Sequence, residues 1–479
     1  MRKASLVCAA LLGSVIAGTP ATAKVFFRVT PFPLPAAQKT GIEDLVLEWP
    51  FPDLAMISQF RSGGYRIWLQ CQAKDLADAV AAADQVLSAG VIVTNSVNSS
   101  QFLEKQIRSL ANAHKNLAFR NLVSGGKQPQ MKGHLVVLRD GILQVSSPST
   151  QPWLDTNLAV VRLAQSRDPD SLPVAYDFRW STQEVPAGAW HPDAEDYALA
   201  IAESDAIRSD VIIDLPIALQ KALKADDPQA WSLWKKAMLY LNFASRAPAE
   251  TPQPVTSLGV VVDDVQSSYE AINLMARHNF AFAATQPRDL TRPHLNGWNA
   301  VVVFCALGHD GVSVLQDFAA RGGIVVFVNS RENFPWHSAP PLRRELHSST
   351  YTVGSGQIVE LGEPVIDPEN FARDLRRLIG PERSVLGLWN SLTTLMTAYG
   401  EQDRSKVTLY LVNYAEQPDN VQIQVKGRFK RVRFESPDVP CCVSLPSVER
   451  NGFTEFTVPS LRIAARVHLD SKGEGSAAQ

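Results

Sequence analysis

Through the first half of this chain, short apolar runs return about every 20–26 residues, with a helical stretch between each pair. The runs at 44–48, 65–69 and 91–94 are too short for buried helices. The stretches between and after them, at 54–60, 75–87 and 100–114, have helical length. In the last stretch Phe102, Leu103, Ile107 and Leu110 mark out a single face. A strand–helix–strand repeat of this length joins parallel strands, because an antiparallel pair needs only a tight turn. Further strands are expected at 174–178 and 211–214, the latter preceded by a helix over 193–208. A hairpin is expected at 135–138 and 142–145, turning on Asp140-Gly141. About 220 residues of this alternation suit a TIM-type β/α barrel, complete or incomplete, over 24–245. A doubly wound open sheet is the alternative.

Residues 1–23 stand apart from that pattern. Arg2 and Lys3 precede an apolar stretch, and Ala21-Thr22-Ala23 supplies a small-residue cleavage site, so this segment reads as an export signal. Gly13, Ser14 and Gly18 keep the stretch too short and too interrupted to span a bilayer. The expected location is secreted or periplasmic, with no membrane span. Lys and Arg number 46 against 48 Asp and Glu, so no basic excess offers a nucleic-acid or anionic-membrane surface. Export also permits disulfides among Cys71, Cys305, Cys441 and Cys442, although Cys441 and Cys442 are adjacent and ill placed for a relaxed bridge. No cysteine or histidine spacing matches a structural metal site, so neither a metal nor a cofactor is expected.

A Pro- and Ala-rich linker at 246–255 closes the first segment. Residues 256–380 then read as a flavodoxin-like α/β domain, with buried strands at 258–262, 300–304, 324–328 and 357–361. Its last helix opens on Asp367-Pro368, carries Phe371, Leu375 and Leu378, and stops at Gly380-Pro381. Over 381–470 the pattern changes to period two, at 407–412, 421–425, 431–434 and 453–458 and on to 469, the signature of an antiparallel β-sandwich. A Gly/Ser/Ala tail at 471–479 is expected to be disordered.

This order of barrel, flavodoxin-like domain and sandwich resembles secreted glycoside hydrolases of the clan that includes three-domain bacterial β-galactosidases. Trp298-Asn-Ala-Val-Val-Val-Phe304, with Phe318-Ala-Ala-Arg-Gly-Gly-Ile-Val-Val326, resembles their middle domain, which is like class I glutamine amidotransferases. Thr408-Leu-Tyr-Leu-Val-Asn-Tyr414 resembles the first paired strand of their C-terminal sandwich. The resemblance implies a carbohydrate substrate or ligand, and homo-oligomer formation through the middle domain. The family's catalytic Asn-Glu pair has no match at a barrel strand end here. Amidotransferase chemistry is not expected either. Phe304-Cys305-Ala306 lacks the glycine of the cysteine elbow, and no His-x-Glu occurs in the domain, so Cys305 reads as a small buried residue and the domain as a scaffold.

Barrel chemistry gathers where strands end. Those positions hold Glu48, Gln70, Asn95, Asp177 and Asp214. Glycoside hydrolysis needs two carboxyl groups, one to protonate the leaving oxygen and one to attack or to activate water. Glu48, Asp177 and Asp214 are therefore the catalytic candidates. Each also has a plainer reading, Asp177 as an arginine's ion-pair partner, Asp214 as a helix cap and Glu48 as a loop anchor. Glu203 falls on a helix, where a solvated or N-terminal-face role is the commoner reading. Trp49, Trp68, Trp153, Trp180 and Trp190 lie in or beside the barrel loops, where indoles stack on sugars. Trp49, Asn95, Trp153, Asp155 and Trp180 are the candidate substrate contacts. Two functions follow. The barrel hydrolyses glycosidic bonds with a carboxylate pair, or it is catalytically inactive and serves as a carbohydrate-binding or envelope assembly protein.

Overall fold

The structure is a computed structural model. It describes residues 23–471 except 51–53, 97–100, 125–134, 140–141, 147–155, 168–173, 179–191, 247–252, 264–267, 331, 392 and 416.

The first domain is a closed barrel, which excludes the open-sheet alternative. Its strands are β1 (Val25–Arg28), β2 (Asp44–Glu48), β3 (Arg66–Gln72), β4 (Gly90–Ser96) and β5 (Ala118–Ser124). A separate two-stranded hairpin follows, β6 (Leu135–Arg139) with β7 (Ile142–Ser146). Then β8 (Val174–Phe178) and β9 (Asp210–Asp214) complete the ring, β9 pairing in parallel with β1. The barrel thus has seven parallel strands. Two of them, β1 and β5, are absent from the pattern read in the sequence. Val25–Arg28 is only four residues long and adjoins the export segment, and Ala118–Ser124 is interrupted by Arg120 and Asn121.

Strand alternation divides the barrel interior into layers. Phe26, Val46, Trp68, Ile92, Leu122, Ala175 and Ile212, one from each strand, form one apolar layer. Trp68 is therefore core, in edge-to-face contact with Phe26 and 2% exposed, and it is not in a cleft. Its indole lies where a β-carbon on Gly90 would be, 2.5 Å from a ring carbon, so a residue without a side chain is required at that point of β4. Two residues toward the strand starts, paired charges plug the barrel floor. Arg66 binds Asp44 at 2.6 Å, and Arg120 binds Asp210 at 2.6 Å. Two residues toward the strand ends lies the polar layer described below.

The helix Ala194–Ile207 starts at an Asp193 capping box and is buried at every position from Asp196 onward. A helix hidden on all sides has neighbours on all sides. Here they are the barrel, the helix Pro228–Ala244 and the C-terminal sheet. Glu203 is consequently fully buried and not solvated. It accepts from Tyr176 at 3.2 Å and from Tyr414 of the last domain at 2.8 Å. Burial beside that carboxylate pushes the Tyr176 phenol well above its ordinary range. Asp205 and Arg466 form a buried pair, with bonds at 2.8–3.1 Å. Arg208 donates to the Tyr410 hydroxyl at 2.8 Å and lies over the Tyr399 ring.

The middle domain is a seven-stranded sheet. Phe282–Thr285, Leu258–Val261, Ala300–Val303, Ile324–Val328 and Gly356–Leu361 run parallel, and Ser348–Val353 and Arg343–Arg344 extend the edge antiparallel. The helix Pro368–Ile379 packs here on the helix Tyr269–Arg277. Glu369 joins the two, 3.0 Å from His278 and 2.8 Å from Arg373. The hydrogen bond from His278 and the nearby Arg373 hold its carboxyl down at about 2. A depressed carboxyl contributes stability that is present above the ordinary value near 4.5 and lost as pH falls toward 2. Glu369→Gln is therefore expected to lower stability at pH 6 and to converge with the parent near pH 2. Urea midpoints across that range measure it, and parallel curves would overturn the assignment.

The last domain packs a six-stranded sheet on a four-stranded one, both antiparallel. Leu409, Leu411, Val421, Ile423, Val458 and Val467 fill the space between. Gln253–Pro254, at the end of the expected linker, pairs with Thr394–Gly400 as an edge strand. Cys441 and Cys442 are bridged to each other, despite their adjacency in the chain, and Cys71 and Cys305 are free thiols. Cys305 donates weakly to the Val261 carbonyl, and burial pushes its thiol up to about 12, as for Cys71. A thiol so reluctant to ionise is a poor nucleophile.

Candidate active site

The polar layer at the strand ends is organised by Arg28, the last residue of β1. Strand alternation sends Phe26 into the apolar layer and Arg28 into the layer above it. Its guanidinium is 7% exposed and reaches four other strands. Nη1 donates to Asp214 Oδ1 at 2.5 Å, and Nη2 donates to Asp177 Oδ2 at 3.1 Å and to Gln70 Oε1 at 2.8 Å. Nε donates to the same Gln70 oxygen at 3.1 Å and lies 3.5 Å from Glu48 Oε1. Gln70 passes the network on, its amide nitrogen donating to Thr94 at 3.2 Å.

Glu48, Asp177 and Asp214, spread over 167 positions of sequence, are thus gathered on one cation. They differ in access. The Asp177 side chain is 9% exposed, Asp214 27% and Glu48 55%. Glu48 also makes the longest of the three contacts with the guanidinium, 3.5 Å against 3.1 Å for Asp177 and 2.5 Å for Asp214. Carboxylate oxygens at the barrel mouth are acceptors, a setting for hydroxyl donors. Sequence reading missed Arg28 because β1 itself was missed. Its signal was available, since Val-Phe-Phe-Arg ends a strand of apolar residues on a charge.

Trp49 follows Glu48 directly and is half-buried against the barrel core, its backbone N–H donating to the Gln70 carbonyl at 2.7 Å. Asn95 lies on β4, with its side chain outside the described residues. Trp153, Asp155, Trp180 and Trp190 also lie outside them. Among the described residues, the mouth offers no set of three or more His, Cys or carboxylate ligands suited to a metal.

The backbone is similar to that of α-L-fucosidase isoenzyme 2 from Paenibacillus thiaminolyticus, over 94% of this chain and all of that one, with a TM-score of 0.56 at 11% identity. The two chains share a fold. A β-galactosidase from Bacillus circulans sp. alkalophilus aligns over 95% of this chain and all of its own at a TM-score of 0.47 and 9% identity. An exo-β-1,4-mannosidase from Opitutaceae bacterium strain TAV5 aligns over 74% and 93% at 0.46 and 8%. No protein-family model matches the sequence, and no curated protein matches it. What is shared is the backbone fold, and the Arg28 cluster is described from this chain's own residues.

Proposed function

We propose that this protein is exported and recognises a carbohydrate at the mouth of the barrel, where Asp177, Asp214 and Glu48 accept hydrogen bonds from sugar hydroxyls. The observation that carries this reading is the shared bonding of the three carboxylates to Arg28. Hydrolysis needs one carboxyl group free to deliver a proton while a second attacks or activates water. Asp177 and Asp214 each have an oxygen engaged by the guanidinium, which holds them as fixed acceptors. Trp49, Asn95, Trp153, Asp155 and Trp180 are the proposed additional sugar contacts. The middle domain, read as amidotransferase-like, would serve as scaffold and as the surface for a homo-oligomer.

One observation favours a second reading. Glu48 is the most exposed of the three and its contact with the guanidinium is the longest, which makes it the proton donor of this second reading, with Asp177 or Asp214 as its partner. Presenting residues 24–479 to a panel of neutral glycans decides between the two. The expected result is retention without release of reducing ends, weakened at least tenfold in Asp177→Asn and Asp214→Asn. Release that disappears in Glu48→Gln would establish hydrolysis instead. Neither retention nor release would overturn both readings.

A further inference from the structure

Outside the barrel, the last domain brings together a second group of chemistry-bearing side chains. The hairpin of Arg431–Ser436 and Val439–Ser444 forms the edge of the six-stranded sheet. Glu435 comes from its first strand, and Cys441 and Cys442 come from its second. The two sulfurs and a Glu435 carboxylate oxygen all lie within 4.8 Å of one another, the only such grouping of three ligand-type residues among the described residues. Glu435 is buried, Cys442 is half-buried and Cys441 is exposed, so the group has a fixed floor and an open side.

The floor is oriented from behind. His468, on the neighbouring strand Ala464–Asp470, lies with Nε2 2.9 Å from Glu435 Oε1, and its Nδ1 lies 3.2 Å from the Thr408 hydroxyl. With Thr408 donating to Nδ1, the proton sits on Nε2 and is given to the carboxylate. One Glu435 oxygen is then fixed by His468, and Arg246 lies 4.0 Å from the other. A ligating group held by a hydrogen-bonded partner is the arrangement that preorganises metal sites.

We infer that Glu435, Cys441 and Cys442 form a redox-gated site for a borderline-soft divalent cation of the zinc class. Two thiolates and one carboxylate make three protein ligands, which suits a four-coordinate ion with one position left to water. The bridged form cannot bind, because both sulfurs are engaged with each other. Opening requires a two-electron reductant, for which a dithiol serves. The Sγ–Sγ bond breaks as the dithiol gives up two electrons and two protons and closes into its own disulfide. Cys441 and Cys442 are left as thiols. The cation then displaces one proton from each thiol and draws the sulfurs to about 2.3 Å from itself. Neither the sugar reading nor the barrel enters this inference.

The test uses the chain 24–479, reduced anaerobically with a phosphine that is then removed, beside the untreated oxidised chain. Each is titrated with Co2+, which reports thiolate ligation as a near-ultraviolet charge-transfer band, and with Zn2+ against a chromophoric chelator. The reduced chain is expected to take up one equivalent with that band, and the oxidised chain none. Cys441→Ser and Cys442→Ser each lose at least 100-fold in affinity, and His468→Gln loses about 10- to 100-fold. Cys305→Ser still takes up its one equivalent. Equal uptake by the reduced and oxidised chains, a cobalt spectrum without the thiolate band, or undiminished binding in Cys441→Ser would each overturn the site. The first comparison needs no variant and is independent of whether any substitution folds.

Discussion

Arg28→Met is expected to destabilise the barrel by about 3–5 kcal/mol, because it removes the buried cation that Asp177 and Asp214 both bind. The methionine conserves much of the arginine's apolar stem, so the loss reflects charge more than volume. Urea unfolding at pH 7 measures the effect. Adding Asp177→Asn and Asp214→Asn to the same chain is expected to recover most of the loss, since neutral amides need no counter-charge. Glycan retention, where the parent shows it, disappears in the single variant because the acceptors lose their common anchor. An Arg28→Met chain as stable as its parent would show that the cluster is held by other contacts and would remove the basis of the site described above.

The second large effect is expected at the junction of barrel and sandwich. Arg466 binds Asp205 through two nitrogens, donates to the backbone carbonyls of Ala244 and Arg246, and stacks on Phe243. Arg466→Met is expected to cost about 3–5 kcal/mol at pH 7. The pH dependence gives the cause. Burial already pushes the Asp205 carboxyl above its ordinary range, against the pull of Arg466. Without that arginine the folded state favours the neutral acid more strongly. A raised carboxyl contributes stability below its unfolded value and loses it as pH rises. The variant should therefore be nearest to its parent at about pH 4 and furthest from it at pH 7. A deficit independent of pH would assign the loss to packing on Phe243 instead of to the charge.

What the sequence shows of this protein follows from how strongly local pattern and burial coincide. Parallel strands buried on both faces read as unbroken apolar runs, which is why 300–303 and 324–328 stand out. The C-terminal strands, with one face inward, are visible by alternation. β5 is hidden because Arg120 turns into the barrel floor to meet Asp210, a partner 90 positions away. Glu203 misleads for the same reason. Its helix carries Glu195, Asp196, Glu203 and Asp205, as a solvated helix would, yet most of these charges meet partners on distant elements. Strand-end placement brought Glu48, Asp177 and Asp214 forward as candidates from position alone. Their mutual partner could not be found that way, because an arginine at the end of a four-residue strand carries no periodic signal.

The buried helix Ala194–Ile207 ties the order of folding to the order of synthesis. Its partners Tyr410, Tyr414 and Arg466 lie 202, 211 and 261 positions further along the chain. Domains generally fold as units from the N-terminus as the chain is made. Here the ring of strands can close early, but the helix between its last two strands keeps an apolar face and three charged residues uncovered until the final strand exists. The barrel is therefore not an exchangeable module. Recombining it with another C-terminal domain would have to recreate tyrosines facing Glu203 and Arg208 and a cation facing Asp205. Divergence on either side of that junction is constrained by the other, however freely the loops at the barrel mouth change.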